Sequence, residues 1–328
     1  MLILSGNDVR DSLHMRDAIE LMKRAFASLS RGEATVPPRT HLPATNHEGM
    51  TLIMPARVDG ESSSLAVKVV SVFDANVGAG IPRIQAGVIV LEPDTGRLLA
   101  LIEGSTLTAI RTAAASGAAT DLLAHAGSET LAILGAGVQA RSHIEAMCSV
   151  RPITTIRVFS PTPGNVVALI DELNSTQRHR GEISRADSAA DAIRGADIIC
   201  TTTTSTTPVF EDGDVKAGAH INAVGSYTPG ACEVSGATVA RAWVVVDDRD
   251  AAWMEAGDLI QARDKGLIDA NHIRADLGEL VIDRDLRPTD PNQVTLFKSV
   301  GVAVQDAFAA SAALEGANQR GLGTVVTW

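Results

Sequence analysis

The strongest constraint on the fold lies at residues 130–148, where an apolar run meets two glycines and then a helical pattern. "TLAIL" has the length and composition of a buried strand, "GAG" turns the chain, and "VQARSHIEAMC" continues with helical periodicity. Apolar strands and helices continue to alternate after it, in "TTIRVFS", "GNVVALIDEL", "ADIICTTT", "AHINAVG" and "AWVVVDD". This alternation predicts an α/β fold with a doubly wound parallel sheet of the Rossmann type.

The residues before this segment follow a different pattern, in which strands come in succession. Apolar residues at spacings of three and four predict one helix, and a Pro-Asp-Thr-Gly turn between apolar runs predicts a hairpin. The predicted elements are a helix at 14–31, strands at 51–56 and 64–73, a hairpin at 87–104 and a helix at 105–124. This part of the chain is therefore predicted to be an α+β domain.

The carboxyl-terminal segment is predicted to rejoin the α+β domain. Residues 294–316 carry a strong apolar pattern that predicts one long helix beyond the parallel sheet. We therefore predict two domains, one formed by residues 1–122 and 300–328 and the other by residues 123–299.

Composition argues against several classes of partner. A net charge of −11 and an aromatic content of 3% both disfavour nucleic-acid binding. No run approaches the roughly 18 apolar residues of a membrane-spanning helix, and the amino terminus lacks a signal-peptide pattern, so we predict a cytoplasmic protein without a membrane partner. Cys148, Cys200 and Cys232 are far apart, which predicts no disulfide framework and no metal site.

The glycine motif gives the second domain a predicted ligand. Residues 135–140 match the pattern GxGxxG/A in its required context, between an apolar strand and a helix. Glycines there let backbone amides approach a pyrophosphate at the helix amino terminus, where partial positive charge gathers. We therefore predict a dinucleotide-binding domain. The predicted cofactor contacts are Gly135, Ala136, Gly137, Val138, Gln139, Thr202, Thr203, Val224, Gly225, Ser299 and Gly301.

The next strand predicts the type of dinucleotide. NAD enzymes typically place Asp or Glu about 20 residues beyond the glycines, where it binds the ribose 2′-hydroxyl. Here Ser160 occupies that place and Thr162 follows, and both are predicted cofactor contacts. The absence of a carboxylate favours NADP(H), with NAD(H) as the alternative, although no arginine stands beside Ser160.

Four cations of the first domain are candidates for binding an anion. They are Arg39, Lys68, Arg83 and Arg111, and Lys68 interrupts the apolar strand "LAVKVV". Each arginine alone is compatible with a surface salt bridge, and Lys68 with a solvent-facing strand position. Taken together, and without a matching acidic cluster in the sequence, they indicate an anionic substrate such as a carboxylate.

These segments together resemble one protein family over nearly the whole chain. "PPR", "AVKVV", "GIPRIQAGVIVLEPDTGRLLALIEGSTLTAIRTAAAS", "LAILGAGVQARSHIEA", "NAVGSYTPGACEV" and "LFKSVGVAVQDAFAA" occur in the order found in the ornithine cyclodeaminase/μ-crystallin family. The resemblance implies an NAD(P)-dependent enzyme of amino-acid or imino-acid chemistry, and a homodimer joined through the first domain. It also implies that Arg39, Lys68 and Arg111 hold a substrate carboxylate, and that Arg111, Thr112 and the glycine loop contact the cofactor.

Three departures from the cyclodeaminases narrow the predicted reaction. Tyr227 and Ala231 stand where those enzymes have an Asp and a Lys, and Leu52 stands where they have a Glu. A second, distal amine would lose its acidic partners, so the chain resembles the branch that reduces cyclic imino acids. The predicted substrate contacts are Arg39, Met54, Lys68, Arg83, Arg111 and Tyr227. Lys68, or a water held near it and Ser226, is predicted to manage the proton on the imine nitrogen.

Three alternatives remain open from the sequence. One is an alanine-dehydrogenase-like enzyme acting on an open-chain 2-oxo acid and ammonia. Another is cyclodeamination of L-ornithine with an unrecognised acid in place of the missing Asp. The third is a protein that binds NADP(H) and a small ligand without turnover, which the retention of the three carboxylate-binding cations disfavours.

Overall fold

The computed structural model describes residues 1–47, 49–60, 63–176, 179 and 181–327. The strands are β1 (Leu2–Leu4), β2 (Ala34–Thr35), β3 (Thr40–Ala44), β4 (Gly49–Val58), β5 (Ser64–Phe73), β6 (Ile84–Leu91), β7 (Leu98–Glu103), β8 (Thr130–Leu134), β9 (Thr155–Phe159), β10 (Glu182–Arg185), β11 (Ile198–Thr201), β12 (His220–Ala223), β13 (Trp243–Val246), β14 (Ile273–Asp276), β15 (Thr295–Lys298) and β16 (Thr324–Val325). The helices are α1 (Gly6–Ser12), α2 (Met15–Ser30), α3 (Gly104–Leu123), α4 (Val138–Val150), α5 (Pro163–Thr176), α6 (Ala189–Ile193), α7 (Gly236–Arg241), α8 (Arg249–Glu255), α9 (Gly257–Asp264), α10 (Leu277–Ile282) and α11 (Ala303–Arg320). Within the described ranges, no helix combines the length and the apolar character needed to span a lipid bilayer.

The chain divides into two compact units. The first comprises residues 1–111 and 302–328, and the second comprises residues 112–301. The first boundary therefore lies inside α3, about ten residues before residue 122, where the sequence predicted it near the end of that helix. A boundary between two compact units can fall within a helix, because consecutive turns of one helix can pack on different hydrophobic cores.

A mixed sheet forms the first unit. Its order is β16-β1-β7-β6-β5-β4-β2, with β3 paired to β4, and every pair is antiparallel except β1 with β7. The predicted strand at 64–73 is confirmed as β5, and the predicted hairpin as β6 and β7. The predicted helix at 14–31 is confirmed as α2, which packs on α11 with its apolar stripe buried.

The two faces of this sheet differ. Helix α11 packs against β4, β5 and β6 and covers the inner face, where Met54, Ala66, Lys68 and Val70 are buried. The alternate residues point the other way, as a strand's period of two requires. The apolar members of this outer face pair across neighbouring strands and are partly exposed: Ile53 with Val69, Val67 with Ile89, and Ile89 with Leu101.

The second unit contains the predicted parallel sheet, which confirms the α/β fold class. Its order is β10-β9-β8-β11-β12-β15-β13-β14, and all pairs are parallel. The chain first runs outward from β8 to β10 and then continues on the other side with β11, so β8 and β11 flank the point where the strand order reverses. Ligands of open α/β sheets bind at this point, beyond the carboxyl ends of the strands.

The prediction of a single helix at 294–316 is wrong in its first part. Residues 295–298 form β15, which pairs with β12 and β13 inside the second unit and is buried throughout. A fully buried strand shows no alternation, so its apolar run cannot be distinguished from a buried helix by pattern. Gly301, at φ +83, then turns the chain before α11 begins at Ala303.

Candidate functional site

The glycine turn after β8 has the geometry that its motif predicts. Gly135 adopts φ +105, and a Cβ there would stand 2.6 Å from the backbone oxygen of Thr202. Only glycine fits this position without strain. Gly137 is the N-cap of α4 and provides no side-chain cap, and a Cβ on it would meet open space. The first amides of α4, including those of Val138 and Gln139, thus lack a side-chain acceptor and suit a pyrophosphate.

The other predicted cofactor contacts of the sheet lie at the same edge. Because β8, β11, β12 and β15 are neighbouring parallel strands, the residues that follow each of them share the carboxyl edge of the sheet. Gly135 follows β8, and the remaining residues in this set are Thr202 and Thr203 after β11, Val224 and Gly225 after β12, and Ser299 and Gly301 after β15. The second unit therefore brings together residues that are up to 166 positions apart in the chain.

A buried carboxylate fixes two of these strand-end loops. Glu233 accepts hydrogen bonds from the backbone N–H of Thr203 at 2.6 Å, the backbone N–H of Gly225 at 2.6 Å and the Thr201 hydroxyl at 2.9 Å. Burial raises the pKa of Glu233, although the charge of Lys298 opposes the increase. This role of Glu233 is not predictable from the sequence, because no local pattern shows that its side chain reaches two other loops.

A second buried carboxylate, that of Asp258, binds the backbone of Glu233 and the residue after it. One oxygen of Asp258 accepts hydrogen bonds from the backbone N–H of Glu233 at 2.6 Å and of Val234 at 2.9 Å. Its other oxygen lies 3.0 Å from Nζ of Lys298, and both side chains are fully buried. An ion pair so deeply buried, with backbone groups as its further partners, indicates a structural role for Lys298.

The loop that carries Ser226 and Tyr227 is tightly closed. The Ser226 hydroxyl is buried and donates a hydrogen bond to the Ala231 carbonyl oxygen at 3.0 Å, across the turn. The Tyr227 ring is partly buried against the apolar core of the second unit. In this conformation, the Ser226 hydroxyl stabilises the turn, and a role in proton transfer would require this hydrogen bond to be exchanged.

The loop after β9 carries the predicted ribose contacts. Ser160 accepts a long hydrogen bond of 3.4 Å from the backbone N–H of Thr162, just before α5 begins. The neighbouring strand β10 ends at Arg185, which is opposite Val158 in β9. Arg185 therefore ends the strand beside β9, and the loop after β9 carries Ser160; the sequence alone did not show this proximity.

The first unit buries two of the predicted substrate-binding cations against one carboxylate. Nζ of Lys68 lies 2.7 Å from one oxygen of Asp306, and Nε of Arg111 lies 3.0 Å from the other. Nη1 of Arg111 also donates to Oε1 of Gln305 at 3.1 Å. Lys68 and Asp306 are each only 2% exposed at their side chains, and Arg111 is 6% exposed.

This cluster corrects two statements made from the sequence. Lys68 is not solvent-facing, since it lies on the inner face of its sheet under α11. Nor do the cations lack an acidic partner, because Asp306 pairs with both Lys68 and Arg111. The partner was missed because it is 195 positions from Arg111 in the chain.

The environment of Lys68 alters its proton affinity. Burial, followed by the charge of Arg111, lowers the pKa of Lys68 from 10.5 to about 7, against the opposing effect of Asp306. The charge of Arg39 adds to this decrease. Burial alone would raise the pKa of Asp306, but Arg111 and Lys68 together lower it. Lys68 therefore titrates near neutral pH beside a carboxylate that stays ionised.

Three further predicted substrate contacts belong to the first unit, and only some of them lie near Lys68. Met54 is buried and stands directly opposite Lys68, on β4. Arg39 is half-buried and precedes β3. Arg83 is about a third exposed and forms an ion pair with Asp74, so the salt-bridge alternative describes it in this structure.

Comparison with known proteins identifies the family of the chain. Residues 1–321 match the ornithine cyclodeaminase/mu-crystallin family. A Δ1-pyrroline-2-carboxylate reductase of Bacillus cereus is 36% identical over 327 residues, covering 99% of each chain. The ketimine reductase mu-crystallin of Mus musculus is 36% identical over 313 residues, covering 94% of each chain. The structure of Thermococcus litoralis Δ1-pyrroline-2-carboxylate reductase, in complex with NADH and L-proline, is 40% identical and has a TM-score of 0.95, covering 99% of this chain and 100% of that one. The chain therefore belongs to the ornithine cyclodeaminase/mu-crystallin family.

Proposed function

We propose that the protein reduces a cyclic imino acid to the corresponding L-amino acid with NAD(P)H. The substrates are Δ1-pyrroline-2-carboxylate, which yields L-proline, and Δ1-piperideine-2-carboxylate, which yields L-pipecolate. Each turnover consumes one NAD(P)H and one proton and converts the C=N bond to a CH–NH bond. The buried pair of cations at Lys68 and Arg111, which share a single carboxylate, is the observation that carries the proposal.

The donors that these cations still have available fit a substrate carboxylate. An ammonium has three N–H donors, and among the described residues Lys68 meets only Asp306. Arg111 uses Nε and Nη1 on its two partners, so Nη2 has no hydrogen bond to any residue in the described part of the chain. Both side chains are almost entirely buried, and charged groups removed from water are costly unless they are paired. A carboxylate that enters beside them removes this cost, and Arg39 adds further positive charge.

Lys68 is also suited to handle the proton on the imine nitrogen. A protonated imine is the better hydride acceptor, and a group with a pKa near 7 can supply a proton at neutral pH. In this proposal, Lys68 or a water that it holds donates this proton, while Ser226 keeps its own loop closed. The residues after β12 and the glycine turn would hold the dinucleotide, whose reduced nicotinamide supplies the hydride when it is bound.

We further propose NADP(H) as the preferred cofactor, with NAD(H) also accepted. Neither Ser160 nor Thr162 would repel a 2′-phosphate, and Arg185 supplies a cation on the adjoining strand. Ser160→Asp is expected to reverse the preference toward NADH, measured as the ratio of kcat/KM for the two cofactors. Ser175→Asp, on the exposed end of α5, provides the control. A native enzyme with a clear preference for NADH would contradict this assignment.

A homodimer joined through the first unit is part of the same proposal. The outer face of the first sheet is apolar along a row that includes Ile53, Val69, Ile89 and Leu101, and Val69 and Leu101 are 37% and 40% exposed. A contiguous apolar patch of this kind marks an interaction surface. Two copies of one face form a closed, self-complementary interface.

One set of assays tests the reaction. The protein is incubated with NADPH and each cyclic imino acid, with NAD⁺ and L-ornithine, and with NADPH, pyruvate and ammonia. We expect oxidation of NADPH with the cyclic imino acids and formation of the L-amino acid. Proline formed from ornithine, with no oxidation of NADPH by the imines, would support cyclodeamination instead. Activity with pyruvate and ammonia alone would identify an alanine dehydrogenase, and binding without turnover would identify a ligand-binding protein.

A further inference from the structure

Asp306 occupies a special position in the first unit. It lies in the first turn of α11, next to Gln305, and both side chains point to the cations of neighbouring elements. The two oxygens of Asp306 are divided, one to Lys68 on β5 and one to Arg111 on α3. Gln305 completes the arrangement by accepting from Arg111 at 3.1 Å and from the backbone N–H of Val302 at 2.9 Å. The start of one helix thus anchors both cations.

The charges of this cluster do not cancel. Two cations share one carboxylate, and Arg39 acts on Lys68 as a third cation. The residues opposite Lys68 on the neighbouring strands are Met54 and Val88, which carry no charge. Burying an unbalanced charge away from water is costly unless a ligand of opposite charge neutralises it.

The single carboxylate opposes two other influences on the charge of Lys68. It attracts the ammonium and so favours its charged form, while burial and Arg111 favour the neutral form. Without Asp306, the two cations would face each other in a buried site with nothing between them. A second carboxylate, in contrast, would neutralise the site and leave no attraction for an anionic ligand.

We propose that Asp306 is a positioning residue of the substrate site: it holds the ammonium of Lys68 and the guanidinium of Arg111 side by side on its two oxygens, and leaves the pair one net positive charge for a single carboxylate. This inference rests on the proposed function. Asp306 acts through the two cations and does not contact the substrate. The cluster therefore favours a ligand that has one anionic group at this point.

The test compares a carboxylate with its uncharged amide. The Kd values of L-proline and L-prolinamide are measured by calorimetry between about pH 6 and pH 9 for the native protein, Asp306→Asn and Asp306→Glu. Glu315→Gln, on the exposed side of α11, is the matched control. For Asp306→Asn, we expect the preference for the carboxylate to fall at least about tenfold near pH 7.5, because the two cations are no longer held side by side on one carboxylate and Lys68 loses its proton more readily. The alkaline decline of L-proline binding should move to lower pH, and the control should match the native protein.

Asp306→Glu separates charge from position. It keeps the anion and therefore the alkaline decline of binding, but its longer side chain displaces both cations. We expect a higher Kd for L-proline with an unchanged pH profile, and this variant also serves if Asp306→Asn does not fold. Native affinity in Asp306→Glu, or a native pH profile in a folded Asp306→Asn, would overturn the inference. Failure of the native protein to reduce either cyclic imine would instead overturn the proposed function, because that assay contains no substitution at Asp306.

Discussion

Replacing Lys68 with Met should improve the stability of the protein while it destroys activity. In the native protein, the pKa of Lys68 is about 7, against 10.5 for an ordinary lysine. Between these values, the unfolded chain binds more protons at this residue than the native chain, so the stability contribution of Lys68 increases with pH. From the two pKa values, the buried lysine costs about 4 kcal/mol of unfolding free energy near pH 7, as an upper limit. Lys68→Met removes this cost and leaves Asp306 paired with Arg111.

The pH dependence gives this prediction a sharper form. The stability advantage of Lys68→Met over the native protein should shrink by about 2 kcal/mol between about pH 6.5 and pH 8.5, because native Lys68 loses its proton over that range. Urea denaturation at both pH values, at one fixed protein concentration, measures the difference. Comparing the two proteins at each pH cancels the titration of all other groups. Lys265→Met, at an exposed position, should show no such trend.

Catalysis should change in the opposite direction. Loss of one buried donor to the substrate carboxylate is expected to lower kcat/KM for the cyclic imino acid by at least about 100-fold. If Lys68→Met were destabilised equally at both pH values, the charge argument would be wrong. If its kcat/KM were unchanged, Lys68 would not belong to the substrate site.

The other predictions concern the two units separately. Gly135→Ala should raise the Kd for NADPH at least about tenfold, because φ +105 and a backbone carbonyl oxygen 2.6 Å from the new Cβ exclude a side chain. Gly164→Ala has open space around its Cβ and should bind NADPH with the native Kd. Equal Kd values for the two variants would contradict this prediction. Glu233→Gln places an amide group against backbone N–H donors and should lower the unfolding free energy by about 2–4 kcal/mol, as measured by urea denaturation. An unchanged unfolding transition would show that the carboxylate does not fix the two loops. Val69→Glu should dissociate the homodimer in sedimentation experiments because the charge recurs across the interface, while Val167→Glu, at an exposed helical position, should leave it intact. A dimeric Val69→Glu variant would exclude this face as the interface.

Local patterns predicted much of the fold and the glycine turn of the second unit. The strand-glycine-helix segment around Gly135 was predicted in full, because its turn depends on residues that are adjacent in the chain. Strand β5 was predicted from its apolar composition and ends at the predicted residues. The segment 294–316 was not, since a buried strand and a buried helix share one apolar pattern and only pairing with β12 and β13 distinguishes them.

The sequence by itself determined the two kinds of domain, the glycine turn and the candidate cations, and its family resemblance identified the missing Asp and Lys at Tyr227 and Ala231. These properties follow from residue type and short-range spacing. Only the tertiary structure decided which carboxylates serve the site. Asp306 joins Lys68 to Arg111, and Glu233 joins two strand-end loops, because strands and helices distant in the chain pack side by side. Burial then gives those contacts their effect, since charges interact strongly only where water is excluded.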